Sequence, residues 1–157
     1  MATAPERREL TFDSLDDVVA DGERLAIGRV RTTGNHTFGQ ILEHLARTHD
    51  VTTGRMTVPP PPFFMRLMIP LMKPMMVKDK PAKPGFKLPA KFEAVFWPDQ
   101  DFEVQEALAH LKESVEHYMS EGPMPKHPMF GKLSREQHDR LNCRHAELHL
   151  SFVHPAP

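Results

Sequence analysis

Apolar residues recur every three or four positions in four stretches of the chain, which is the spacing of amphipathic helices. The first two stretches each begin at a hydroxyl residue that can cap a helix, Ser14 and Thr37. The pattern therefore predicts helices over 14–28 and 37–53. The second is expected to end near Gly54, because glycine is favoured just after the last turn of a helix.

Two further amphipathic stretches follow in the C-terminal third, over 101–121 and 134–153. The core positions expected from these two stripes are Leu108, Leu111, Val115, Leu141 and Leu148. Gly122 and Pro123 end the third stretch, and Ser134 can cap the fourth. Four such helices with little strand pattern predict an all-α fold, a four-helix bundle.

A segment rich in proline and methionine, residues 56–91, separates the second predicted helix from the third; we call it the insertion. Nine of the sixteen prolines and five of the ten methionines lie between residues 59 and 89. A run of four prolines favours an extended entry, and Pro70 and Pro74 restrict the helix that begins at Phe63 to a short, kinked one. We expect a lysine-rich loop after it and an extended stretch over 92–97.

The halves on either side of the insertion are each too short to close a core alone, so residues 1–157 are predicted to form a single domain. The whole chain has a formal charge of −1, which argues against a protein that wraps nucleic acid. No apolar run approaches the length of a membrane span, and the N-terminus lacks an apolar signal core. Cys143 is the only cysteine and excludes an internal disulfide. The expected location is the cytoplasm.

Residues 55–91, the insertion together with Arg55 just before it, carry a net charge of +7, which leaves −8 on the rest of the chain. Three interpretations stay open: packing of the methionines on the bundle, a lid over a ligand site, and an amphipathic hairpin on an anionic membrane, the last being the least favoured. Phe63, Phe64 and Ile69 would each forgo about 1.5–3 kcal/mol if left in water. We therefore expect 59–90 to cover the candidate site.

Histidine is the second unusual residue type, with ten in the chain. His145 and His149 lie one turn apart on the last predicted helix, so their rings can converge on one metal ion. With so many histidines the spacing also arises by chance, and the alternative is a buried imidazole bonded to a carbonyl or to Asn142. The second helix offers His44 or His49 as a third ligand, and helical periodicity alone favours His49.

Three stretches together resemble the DinB/YfiT-like superfamily of metal-dependent four-helix bundles: TFGQILEHLA, HPMFGKLSREQ and HAELHL. Within it, the chain is most similar to an uncharacterised branch with an HPxFGxLS signature. The resemblance covers most of the chain outside the insertion. It implies a three-histidine metal site formed by His44, His145 and His149.

Three neutral imidazoles suit zinc, nickel or iron and leave coordination positions open. Superfamily members include enzymes that depend on low-molecular-weight thiols. The resemblance therefore implies a thiol transferase or a hydrolase. In either, the metal would activate a thiol or water to react with a small-molecule substrate. The alternative is a non-catalytic metal- or ligand-binding bundle. The sequence assigns no catalytic residue, with Glu43, Glu147 and His117 as unranked general-base candidates, and it is compatible with a homodimer. His36 and His154 are expected at the surface.

Overall fold

The computed structural model describes residues 3–77, 84–85 and 87–157, and within them the chain is mostly helical. The helices are α1 (Leu15–Ala26), α2 (Phe38–Thr53), α3 (Phe63–Met76), α4 (Ala90–Phe96), α5 (Val104–Glu121) and α6 (Arg135–Leu150). The strands are β1 (Val30–Thr32), β2 (Lys126–His127), β3 (Gly131–Lys132) and β4 (Val153–Pro155). Among the residues described, no helix has both the length and the hydropathy needed to cross a bilayer.

Four of the helices pack around one core and confirm the predicted all-α class. Both α1 and α2 contact α5 and α6, which closes a ring of four helices. The core between them includes Val18, Leu25, Leu42, Leu45, Leu108, Leu111, Val115, Ala146 and Leu150. Each of these four helices begins and ends within three residues of its predicted bounds. Of the five side chains expected to be buried, Leu148 is only half-buried, and the other four are buried.

Side-chain caps explain where three of these helices begin. Ser14, Thr37 and Ser134 each accept a hydrogen bond from a backbone N–H of the first turn, and the side chain of the third helical residue bonds back to the cap. These reciprocal bonds satisfy N–H groups that have no partner within the helix. Gly54 ends α2 with φ of 81°, a left-handed conformation that favours glycine.

The insertion contains α3, and α4 begins at its end. The helix predicted from Phe63 is present as α3, but the extended stretch predicted over 92–97 is wrong, because α4 occupies most of it. Pro89, whose backbone φ angle is fixed by its ring, directly precedes the first turn of α4. Phe92 and Phe96 lie one turn apart on α4 and are buried against Val51 of α2. The predicted lysine-rich loop falls largely on residues 78–83 and 86, outside the described residues.

One face of α3 packs on the bundle. Ile69 lies with Val77 against a small cluster formed by Phe130, Leu133 and Leu141 at the start of α6. Phe63 and Phe64 point away from this contact and are 82% and 61% exposed, so the prediction that these two rings pack is wrong. The inward positions of α3 are taken by other apolar residues.

Two short strands tie the chain ends to the bundle. β1 pairs antiparallel with β4, matching Val30 to Pro155 and Thr32 to Val153. A strand of three residues is too short for its alternation of apolar and polar side chains to be recognised in a sequence. Because β4 lies on β1, His154 is buried and not at the surface as expected. The pairing also brings the end of α6 beside the start of α2.

Replacing Gly39 by alanine should lower the free energy of unfolding by about 1–3 kcal/mol, an overpacking effect. Gly39 lies in the first turn of α2, and an added Cβ would lie 2.0 Å from the backbone carbonyl oxygen of Phe102. Gly28→Ala is the matched control, because a Cβ there meets nothing within 4 Å. Urea denaturation of both variants measures the effect. Equal stability of the two would contradict the close contact.

Candidate metal centre

Three histidine rings converge between α2 and α6. The Nε2 atom of His145 lies 3.1 Å from Nε2 of His44 and 3.0 Å from Nε2 of His149. One ring nitrogen of each residue lies within 4.8 Å of the other two. The structure therefore brings together the three histidines that the family resemblance implies.

The two helices place these rings for different reasons. On α6, His145 and His149 are four residues apart, so both rings leave the same face one turn apart. On α2, the buried stripe faces α5, while α6 passes the flank that holds His44. His49, which periodicity favours, is buried against the ring of Tyr118 on α5, with 5.7 Å between ring centroids. Helical periodicity locates the buried stripe of α2 but does not indicate which neighbouring helix lies along its edge.

The protonation of His44 is fixed by the backbone. Its Nδ1 lies 3.0 Å from the carbonyl oxygen of Phe96, which can only accept, so Nδ1 carries the proton. The lone pair of Nε2 then points toward His145 and His149. A single N–H on His145 cannot point at both neighbouring nitrogens, whereas a divalent ion accepts a lone pair from each at about 2.0–2.1 Å. The donor set therefore fits a divalent ion.

Aromatic stacking encloses the site on one side. The Trp97 ring, just after α4, stacks on the His44 ring at a centroid distance of 3.7 Å and an angle of 6°. His36 stacks on Trp97 at 3.7 Å, and the indole edge approaches His149 at 5.0 Å. His36 is thus half-buried beside the site and not a surface residue as expected. Sequence reasoning missed Trp97 because it missed α4.

Burial keeps the three imidazoles neutral. Removal from water lowers the pKa of His145 to about 4. Burial first, and then the neighbouring imidazoles, lower the pKa of His44 and His149 well below the ordinary value near 6.5. At neutral pH all three rings are uncharged, each with one N–H and one lone pair. The lone pairs that bind a metal are therefore available without loss of a proton.

A separate polar network joins α2 to α5 beside the cluster. His110 Nδ1 lies 2.8 Å from Glu43 Oε2, and His110 Nε2 lies 2.8 Å from Asp50 Oδ2. The bond to Glu43 is the main cause that raises the pKa of His110, to about 9, so this ring is a cation. Burial tends to raise the pKa of Glu43, but the bonds from His110 and Arg47 lower it below its usual range. This network was not predicted from the sequence.

The general-base candidates have other partners. Glu43 is held by His110 and Arg47. Glu147 accepts a hydrogen bond from the backbone N–H of Phe12 at 2.6 Å, and burial raises its pKa. His117 lies half-buried on α5, at a shallow surface depression shared with Arg55. Among the described residues, the close cluster consists of the three histidines.

Comparisons with known proteins point to one family. A family described as "Protein of unknown function (DUF1569)" matches residues 4–156, nearly the whole chain. Neither the curated proteins nor the solved structures gave a significant match. The chemistry of the site must therefore be argued from its own residues.

Proposed function

We propose that this chain, which belongs to the DUF1569 family, is a metal-dependent enzyme that holds one divalent ion through His44, His145 and His149. The observation that carries the proposal is the convergence of three neutral ring nitrogens on one point. Neutral imidazoles this close cannot all satisfy one another, because each ring carries a single N–H. Three histidine ligands with open positions are typical of catalytic sites and not of closed structural ones.

The resemblance to DinB/YfiT-like proteins supports the same three histidine ligands. It also suggests the class of reaction, in which the metal activates a thiol or water. When bound, the ion would supply a Lewis acid that lowers the pKa of a coordinated water or thiol. Nδ1–H of His44 donates a hydrogen bond to the Phe96 carbonyl oxygen. This bond orients the ring so that the Nε2 lone pair is free to bind the ion. The Trp97 ring covers one face of His44 and keeps bulk water from that side.

The partners of the acidic residues favour thiol over water as the activated group. A coordinated water is a weak acid, with a pKa of about 9 on an aqueous zinc ion, so its attack gains most from a nearby base. Glu43 and Glu147 are both engaged with other groups. A thiol, with an ordinary pKa near 8.5, ionises on a metal without such a base. The proposed reaction is therefore attack of the thiolate of a low-molecular-weight thiol on an electrophilic carbon of a small-molecule substrate. A carbon–sulfur bond forms as the bond to the leaving group breaks, and the thiol proton passes to solvent. Zinc, nickel or iron would be the ion. That Glu43 and Glu147 are bonded to other groups is also compatible with the second candidate function, a metal-binding bundle without catalysis.

Purified protein should bind one divalent ion per chain, and His44→Ala, His145→Ala or His149→Ala should weaken binding by at least about 100-fold. Trp97 is the only tryptophan and stacks on His44, so titration with Ni²⁺ should quench its fluorescence. His49→Ala is the matched control, since His49 is equally buried on the same helix but outside the cluster. Loss of binding in His49→Ala with retention in His44→Ala would overturn the assignment.

A second measurement separates the two candidates. Addition of a small thiol such as dithiothreitol to the Co²⁺-loaded protein should produce a sulfur-to-cobalt charge-transfer band in the near ultraviolet. His145→Ala, which should not retain Co²⁺, gives the background signal. A spectrum unchanged by thiol in the loaded wild-type protein would refute thiol activation and leave the non-catalytic bundle.

A further inference from the structure

The outward surface of α3 is made of apolar side chains. Those at least half exposed are Phe63, Phe64, Leu67, Met68, Leu71 and Met75. At about 100° per residue, these positions together with the exposed Pro70 and Pro74 span roughly 160° of the helix. We call this the outer face of α3. Arg66 and Lys73, the polar residues of α3, lie together at its edge.

The opposite side of α3 fixes this orientation. Met65 is buried, and Ile69 packs on the Phe130 and Leu133 cluster. The Lys73 ammonium donates a hydrogen bond to the backbone carbonyl of Lys132 at 2.6 Å. The helix is therefore attached to the bundle through one side while its apolar outer face remains in contact with solvent. A solvated helix ordinarily shows polar residues on its outward side.

The charge of the sequence segment that contains α3 identifies the partner of its outer face. α3 contains no acidic residue, and Arg66 is exposed. Residues 55–91 carry +7 while the rest of the chain carries −8, so basic charge is concentrated in the same segment of the sequence as the exposed apolar side chains. An apolar face within a basic segment is the composition of helices that lie on anionic membranes.

We propose that the outer face of α3 binds the surface of an anionic lipid bilayer, with the helix lying in the interface. The fourteen residues of α3 extend about 21 Å, which suits a helix lying in the interface plane better than a span of about 30 Å. A second copy of the chain fits less well, because a two-fold contact through this face would bring two segments of charge +7 together. Anionic headgroups instead neutralise that charge. This proposal is independent of the metal site.

Vesicle co-sedimentation tests the proposal. The purified protein should bind vesicles of phosphatidylcholine with phosphatidylglycerol, bind pure phosphatidylcholine at least about tenfold more weakly, and be released by salt. Phe64→Ser combined with Leu71→Ser should lower partitioning by at least about tenfold. Ile27→Ser is the matched control, because Ile27 is 88% exposed but lies at the end of α1. His145→Ala should bind vesicles like the wild type.

Two results would overturn the proposal. One is equal sedimentation with neutral and anionic vesicles, or none with either. The other is sedimentation that the Phe64→Ser, Leu71→Ser protein retains in full. A dimer that forms with rising concentration and is lost in this variant, without vesicle binding, would assign the outer face to self-association. Circular dichroism checks that both substituted proteins keep their helix content.

Discussion

Acidifying the metal-free protein from pH 7 to pH 5 should lower its free energy of unfolding by about 6 kcal/mol. Burial lowers the pKa of His49, His127 and His145 from about 6.5 to about 4 in the folded protein. Each such group contributes roughly 2 kcal/mol of destabilisation at pH 5, because the unfolded chain binds the proton and the folded protein does not. The sum is comparable to the whole stability of an ordinary domain.

The direction follows from the protons bound in each state. Between about pH 4 and pH 6.5 the unfolded chain holds more protons, so the stability rises with pH across this window. Burial lowers the pKa of His44, His138 and His149 as well, and these rings act in the same direction. His110 acts in the opposite sense, since its pKa is raised to about 9; between pH 7 and pH 5 only the unfolded chain changes its charge at this residue, which offsets about 1 kcal/mol of the loss.

Urea denaturation in the presence of a chelator at pH 5, 6, 7 and 8 measures this dependence. His49→Leu removes one buried imidazole and should make the slope between pH 5 and pH 7 shallower. Ile27→Ser alters an exposed residue with no titratable group and should leave the slope unchanged. A free energy of unfolding that is flat between pH 5 and pH 7 would contradict neutral burial of these rings.

Much of the fold was predictable because the signals are local. Ser14, Thr37 and Ser134 mark helix starts through caps that depend on residues three positions apart. α4 was missed because it is a seven-residue helix between prolines. Its buried pair, Phe92 and Phe96, has a spacing that also suits an extended stretch. The exposure of the outer face of α3 was not predicted, because an apolar sequence pattern does not indicate whether another part of the protein covers those side chains.

The candidate site was predictable only in part. The spacing of His145 and His149 identifies a pair on one face of a helix. The choice between His44 and His49 depends on which helix crosses α2, a long-range property that periodicity does not contain. Trp97 reaches the site through α4, so its role depends on an element that the pattern did not predict.

The network around His110 is a second long-range feature. On α2, Glu43 and Asp50 are seven residues apart and therefore share a face. That spacing indicates a pair of buried acids, but nothing in the sequence states that a histidine of α5 lies between them. In the structure the His110 ring bridges both carboxylates at 2.8 Å, and Ser114 donates to the second one at 2.9 Å. The bridge joins the helix that carries His44 to α5.

His110→Ala should lower the free energy of unfolding at pH 7 by about 2–4 kcal/mol, because it leaves two buried carboxylates without the cation between them. In this variant Arg47 still bonds to Glu43, and Ser114 still bonds to Asp50. The decrease in the free energy of unfolding is therefore smaller than for a buried charge with no partner. Urea denaturation gives the difference. His117→Ala on the same helix is the control and should change the stability by no more than about 0.5 kcal/mol.

The pH dependence of that difference tests its cause. The folded pKa of His110 is raised to about 9, so its stabilisation is fully present below about pH 6.5 and is lost as the pH rises through 9. The gap between the wild type and His110→Ala should therefore shrink between pH 7 and pH 10. A packing defect alone would give a gap independent of pH. A gap that stays constant or grows over this range would show that the ring stabilises the α2–α5 contact by its shape and not by its charge.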